Sequence, residues 1–210
     1  MSARDDEPSS TMVDLAFALE GRLLPREHRE LLAAALEAAL PWLAGTAGAG
    51  VHRLKLAQGT DTQALLSLRT KLVLRVPRDR AGDAAALVGT TLDLGGHVLR
   101  VGTLHARELL PWGTLYAHLV AAEAAEVPDE AAFMREVEGE LQALGVPCRP
   151  ICGRLQQLEA GRLRGYSLML DGLSAADSLR LQETGIGRHR RLGCGVFVPH
   201  KSAAAVGSPP

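Results

Sequence analysis

Gly185-Ile186-Gly187-Arg188-His189-Arg190-Arg191-Leu192-Gly193-Cys194-Gly195, running on into Val196-Phe197-Val198-Pro199-His200-Lys201, is the stretch around which the rest of the sequence arranges itself. Four glycines in eleven residues permit positive φ and close approach of the backbone to a ligand. Between Gly187 and Gly193 stand three arginines and a histidine with no acid among them. Bare amides beside clustered guanidinium groups suit a run of phosphates. A dinucleotide fingerprint follows a strand and opens a helix, whereas this loop follows a helical stretch and opens a strand. A glycine-rich turn with solvated arginines is the plainer alternative.

Working outward, Ser174-Ala175-Ala176-Asp177 reads as a capping box for a helix that ends at Gly185. Before it, Arg154–Glu159 and Leu163–Leu170 form a hairpin about Ala160-Gly161, and Asp129 to Leu144 is a helix with Phe133, Val137, Leu141 and Leu144 on one face. Leu115 to Ala122 supplies a strand ahead of that helix. The first half repeats the order. Met12 to Leu19 is a strand, and Pro25 suits the first turn of a helix carrying Leu32, Leu36, Leu40 and Leu43. Val51 to Ala57 is a further strand. Leu66 to Val76 alternates strictly, with Leu66, Leu68, Leu72, Leu74 and Val76 on one face and a basic open face of Arg69, Lys71 and Arg75. A weak helix over 78–88 precedes strands near 92–94 and 97–101. Two consecutive βαββαβ units predict an α+β protein of two tandem ferredoxin-like domains, 12–110 and 115–201, followed by a loose tail over 202–210.

The loop ending in Gly193-Cys194-Gly195 and its closing strand resemble the C-terminal signature of the repeat-associated RNA-binding superfamily of CRISPR systems. Leu173-Ser174-Ala175-Ala176-Asp177-Ser178-Leu179-Arg180-Leu181-Gln182-Glu183, then the loop and Cys194-Gly195-Val196-Phe197-Val198-Pro199, is similar to the sixth Cas family. Leu24-Pro25-Arg26-Glu27-His28 resembles the start of that family's first helix. The resemblance implies the same duplicated architecture and an endoribonuclease that cuts precursor CRISPR RNA inside each repeat. It implies CRISPR repeat RNA, as a stem-loop, for a partner, with other Cas subunits of an effector complex as further partners. The expected RNA contacts are Arg188, His189, Arg190, Arg191 and Lys201, with Gly185, Gly187, Gly193 and Gly195 shaping the loop.

His28 is the expected catalytic residue. A first-turn position disfavours the imidazolium through the helix dipole, so neutral imidazole is available as a base near pH 7. Position alone favours a packing histidine, and the resemblance gives it the base's role. A base that takes the 2′-hydroxyl proton, with cations on the phosphoryl oxygens, yields a 2′,3′-cyclic phosphate and a 5′-hydroxyl without a metal. The family often sets a tyrosine, lysine or serine beside its histidine. Tyr116 and Tyr166 are far along the chain here, and His52, Lys55 or Lys71 remain open as helpers. Trp42 and Trp112 read as core.

Composition bounds the alternatives. Lys+Arg number 23 and Asp+Glu 24, a net charge of −1, which argues against a generally sticky nucleic-acid binder. Acid gathers at Glu123, Glu126, Asp129, Glu130, Glu136, Glu138 and Glu140 and base at the C-terminus, a segregation that leaves one basic face. Cys148, Cys152 and Cys194 fit no zinc spacing, so no metal and no cofactor are expected. No apolar run is long enough to span a bilayer, and the acidic start with Asp5, Asp6 and Glu7 lacks a signal peptide's apolar region, so the chain reads as cytoplasmic with no membrane partner. A non-catalytic RNA-binding subunit of an effector complex and a regulatory module for a small anion are the competing functions.

Overall fold

A computed structural model describes residues 9–122 and 129–201. The tail over 202–210, Glu123, Glu126 and the acidic start lie outside the described residues. In chain order the elements are β1 (Met12–Glu20), β2 (Leu23–Pro25), α1 (Arg29–Ala39), β3 (Gly50–Val51), β4 (Gln63–Leu65), β5 (Lys71–Pro77), α2 (Ala81–Ala84), β6 (Thr91–Asp93), β7 (Val98–Glu108), β8 (Thr114–Ala121), α3 (Glu130–Leu144), β9 (Arg149–Leu158), β10 (Leu163–Asp171), α4 (Ala175–Thr184) and β11 (Val198–Pro199). The protein is a mixed α+β structure on two antiparallel sheets. One runs β3-β5-β1-β7-β6 and the other β11-β8-β10-β9, while β2 and β4 pair separately.

Each sheet buries one face beneath its helices. In the first half Phe17, Leu72, Leu74 and Val101 meet Leu32 and Leu36 of α1. In the second, Leu115, Ala117, Leu168 and Leu170 meet Phe133, Val137 and Leu141 of α3. Asp129 caps α3 by accepting from the Ala132 amide at 2.6 Å, and Gly145 ends it at φ 64°, a left-handed position glycine adopts without a Cβ clash. Ser174 caps α4 as its capping-box pattern predicts, accepting from the Asp177 amide at 3.2 Å.

Several boundaries differ from expectation. The strand expected from Leu66 begins at Lys71, because Ser67 to Thr70 closes a turn with Thr70 N–H donating to the Ser67 carbonyl at 2.9 Å. Leu68 accordingly stands 97% exposed. Of Val51 to Ala57 only Val51 lies in a strand, as the end of β3, and the weak helix over 78–88 is one α turn between two 3₁₀ turns. Trp112 is exposed rather than core, whereas Trp42 packs beside the first core under the Arg80 guanidinium.

The largest correction concerns Arg75. Expected on an open basic face, it is 0% exposed. That face of β5 is covered by the second half, and Arg75 clamps the seam. Its Nε and Nη2 donate to the two Asp14 oxygens at 2.8 and 2.9 Å, and Nη1 donates to the carbonyls of Gln182 and Phe197 at 2.9 and 2.8 Å. Met12 and Leu109 meet Leu179 of α4 in a small apolar cluster beside it. The two halves are therefore fastened by a buried charge network as well as by apolar contact.

Candidate active site and RNA-facing loop

The sequence places Pro25 in a helix's first turn, but the structure leaves it in β2 and starts α1 four residues later. His28 is consequently the N-cap residue, at φ −106° and ψ −9°, with no cap bond from its own side chain. The imidazole turns back instead. Its Nδ1 lies 3.1 Å from the Pro25 carbonyl and 2.9 Å from the Arg26 carbonyl. Carbonyls only accept, so Nδ1 carries the proton and Nε2 keeps its lone pair. His28 is 8% exposed. Burial pushes its pKa below the usual 6.5; the two carbonyls pull upward and neighbouring Arg29 pushes further down. Burial, not the helix dipole, is the leading cause of its neutrality.

The start of α1 is held from the other half. Glu159, at the tip of the β9–β10 hairpin, is 2% exposed and sits at φ 51°, a strained conformation for a residue with a Cβ. It accepts from the Arg29 amide at 3.1 Å. Alongside, Ala160 N–H donates to Glu27 at 3.0 Å and Arg162 forks onto Glu30 at 2.9 and 2.7 Å. Burial raises the Glu159 pKa.

Residues 190–193 reach the same place from the C-terminal side. His28, Arg29, Val51, His52, Arg53, Leu54, Arg191, Leu192 and Gly193 line one narrow pocket. Arg29 Nη1 donates to the Leu192 carbonyl at 2.6 Å. Gly193 sits at φ 77°, and a Cβ there would come within 2.9 Å of that guanidinium and 3.1 Å of the Val51 carbonyl. Only glycine lets the loop lie this close to α1 and β3.

The loop differs in detail from its expected form. Its glycine amides are not bare. Gly185 donates to Leu181, Gly193 to Arg190 and Gly195 to Leu119 carbonyls, and Gly187 donates to the Glu140 carboxylate at 2.9 Å. The four glycines act through shape and leave no amide cradle for a phosphate. Arg190 turns inward, with Nη1 donating to Gly195 and Nη2 to Gly48, Gln182 and Glu183 carbonyls. Burial, with Arg75 nearby, lowers its pKa to about 10. It holds the loop shut. Arg188 and His189 are exposed, the latter at φ 63° where it opens the 3₁₀ turn Arg190–Leu192. Arg191 is exposed and paired with Glu37, and Lys201 is exposed at the end of β11.

Of the helpers left open, His52 is tied by Nε2 to Asp14 at 3.2 Å as part of the Arg75 network, Lys55 is exposed away from the pocket lining, and Lys71 opens β5. Tyr166 packs on Phe133 in the second core, and Tyr116 lies against His200. Three groups near the pocket carried no functional reading in the sequence: Arg29, Arg53 and His118. Arg53 Nη1 donates to His118 Nδ1 at 3.3 Å. Burial, then Arg53 and Arg29, hold the His118 pKa down to about 4. A lone histidine inside the apolar run Leu115 to Val120 was the available signal. Cys194 is buried near Arg29, and burial pushes its thiol up to about 11 against the pull of that guanidinium, so it is an unreactive packing group. Among the described residues no His/Cys/Asp/Glu group has a metal-holding arrangement, and no helix is long and apolar enough to cross a membrane.

Comparison with known proteins agrees with this picture. Residues 13–202 match the family model described as Cas6 Crispr. A protein of Myxococcus xanthus (strain DK1622) named CRISPR-associated endonuclease Cas6 is 38% identical over 201 residues, covering 93% of this chain and 85% of its own. Among solved structures, one described as a RAMP protein binding different RNA substrates superposes with a TM-score of 0.60 at 15% identity, covering 89% of this chain and 98% of its own. A CRISPR associated protein Cas6 gives a TM-score of 0.58 at 13% identity, over 91% of this chain and 100% of its own. The product of a Cas6-related gene from Pyrococcus furiosus gives 0.56 at 11% identity, over 90% and 98%. At these identities the superpositions speak for the fold.

Proposed function

The chain belongs to the Cas6 family, and from that premise we propose that it is a metal-independent endoribonuclease that cuts precursor CRISPR RNA within the repeat. One observation carries the mechanism: His28 presents a neutral imidazole with Nε2 as acceptor, in a pocket walled by Arg29, Arg53 and Arg191. Nε2 takes the proton of the 2′-hydroxyl upstream of the scissile phosphate. The oxygen attacks phosphorus in line, the guanidinium groups offset charge growing on the phosphoryl oxygens, and the 5′-oxygen departs, taking up a proton from solvent. The products are a 2′,3′-cyclic phosphate and a 5′-hydroxyl.

Arg188, His189 and Lys201 make the RNA contacts outside the pocket, and Arg191 makes one at its wall. Arg190 and the four glycines support them by fixing the loop. Arginines on a shaped loop suit the phosphates and 2′-hydroxyls of a repeat stem-loop better than a stacking sheet would. The strand orders favour two tandem ferredoxin-like domains, 12–110 and 115–201: β7 flanks β1, which pairs with β5, just as β11 flanks β8, which pairs with β10. Repeat RNA incubated with the protein in excess EDTA tests the reading. Cleavage at one phosphate is expected, blocked by a 2′-deoxy nucleotide immediately upstream. Tight binding without cleavage would favour the non-catalytic subunit of an effector complex.

A further inference from the structure

Register marks an irregularity in β8, beside the glycine-rich loop. On β10 the pairs Tyr166↔Val120 and Leu168↔Ala117 span two residues, while the same pairs span three residues of β8. Strand β8 thus carries an extra residue at 118–119. Bulges re-aim side chains and gather near active sites. This one serves the seam twice: the Leu119 carbonyl accepts from Gly195 of the loop at 2.8 Å, and His118 receives Arg53.

A guanidinium only donates, so the contact requires a bare Nδ1 on His118 and puts its proton on Nε2. The two imidazoles at the seam are therefore opposite tautomers. His28 offers a lone pair, and His118 uses its own to hold an arginine. Arg53 makes no ion pair with a carboxylate among the described residues. It is exposed and lines the pocket shared with His28. A cation steadied by a neutral acceptor keeps its full charge for an external anion; one steadied by a carboxylate does not. Arg75 of β5 is the contrasting case.

We propose that Arg53, held in place by His118 from the β8 bulge, forms the oxyanion subsite of the cleavage centre and contacts a non-bridging oxygen of the scissile phosphate. The inference rests on the endoribonuclease reading and on His28 as base. Arg53 is then a catalytic residue, and His118 is a positioning residue acting through it. No new bond is involved: the guanidinium N–H groups tighten onto the oxygen as its charge grows and relax when the 5′-oxygen leaves.

Single-turnover cleavage of repeat RNA carrying each phosphorothioate diastereomer at the scissile position decides it. Wild-type protein should discriminate between the diastereomers, because sulfur accepts poorly from Arg53. Arg53→Ala should slow cleavage of the all-oxygen RNA by about 10²–10³-fold, the usual loss for one oxyanion donor, and bring the diastereomer ratio toward one. His118→Ala should lower kcat with little change in KM, and His118→Asn, whose side-chain oxygen still accepts from a guanidinium, should recover part of the loss. The inference is overturned if Arg53→Ala cuts at the wild-type rate, or if it cuts slowly with the diastereomer ratio unchanged. His28→Ala separates the two readings. Wild-type cleavage by that variant removes the base but leaves the Arg53 diastereomer test standing; a dead His28→Ala beside an unaffected Arg53→Ala removes only the oxyanion subsite.

Discussion

Two arginine clusters lie along the seam between the halves, and they are built on opposite rules. Around Arg75, the guanidinium has a carboxylate complement: it forks onto Asp14, His52 joins that carboxylate, and two carbonyls accept from Nη1. Around His28, the guanidinium groups of Arg29 and Arg53 have carbonyl and imidazole partners. A cation with a buried carboxylate is part of the scaffold. An exposed cation with a neutral partner, unlike buried Arg190, keeps an electrostatic demand that a ligand phosphate can meet. The same residue type therefore fastens one end of the seam and equips the other.

The comparison breaks most visibly at the fastened end. Arg75→Ala leaves Asp14 charged and half-enclosed, and should cost about 3–5 kcal/mol of stability, read as a lowered midpoint in urea unfolding. Arg53→Ala, at an exposed position, should change stability by about 0.5 kcal/mol or less in the same titration. Equal losses would mean the clusters are not different in kind.

Smaller effects sharpen the contrast. Glu159→Ala removes the acceptor that caps α1 beside His28, and should cost about 0.5–2 kcal/mol. It should also slow cleavage by roughly tenfold, since a loosened helix start misplaces the base. Repeat affinity should hold, as measured by filter binding.

Protonation separates the clusters by pH. His28 and His118 have folded pKa values below the unfolded 6.5. Their contribution to stability is full above that value and is lost as pH falls, for His118 down to about 4. Hydrogen bonds from His52 and Arg75 outweigh burial and hold Asp14 well below its usual 3.8, so its contribution persists to lower pH and fails last. Cleavage should rise with pH and level off, with its inflection below 6.5. An inflection above 6.5 would mean that His28 is not the titrating base. Smallest of all, Arg188→Ala with Arg191→Ala should reduce the salt slope of repeat binding by about 0.7–0.9 for each phosphate that is no longer neutralised, whereas Arg190→Ala should act on stability instead.

How much was legible follows from the same contrast. Period two, a capping box and the glycine punctuation located β1, β8, β10, α3 and α4 to within a residue or two, because these signals are local. His28 was singled out through its resemblance to a family motif. The burial of Arg75 was not, since alternation tells which residues share a face but not that a second sheet's helix will cover it. Arg190 was unreadable for the same reason: an inward arginine and an outward one have the same neighbours in sequence. Arg53 and His118 are 65 residues apart, and only the bulge in β8 brings them together. Pairing across such a distance is set by tertiary register, which no local period encodes.

The central claim is that Nε2 of His28 is the base, and one experiment addresses it directly: single-turnover cleavage of repeat RNA by His28→Ala, with repeat affinity measured on the same preparations. The account predicts a loss of about 10²–10⁴-fold in rate, with affinity nearly unchanged because the exposed arginines remain. Cleavage by His28→Ala at the wild-type rate would contradict it.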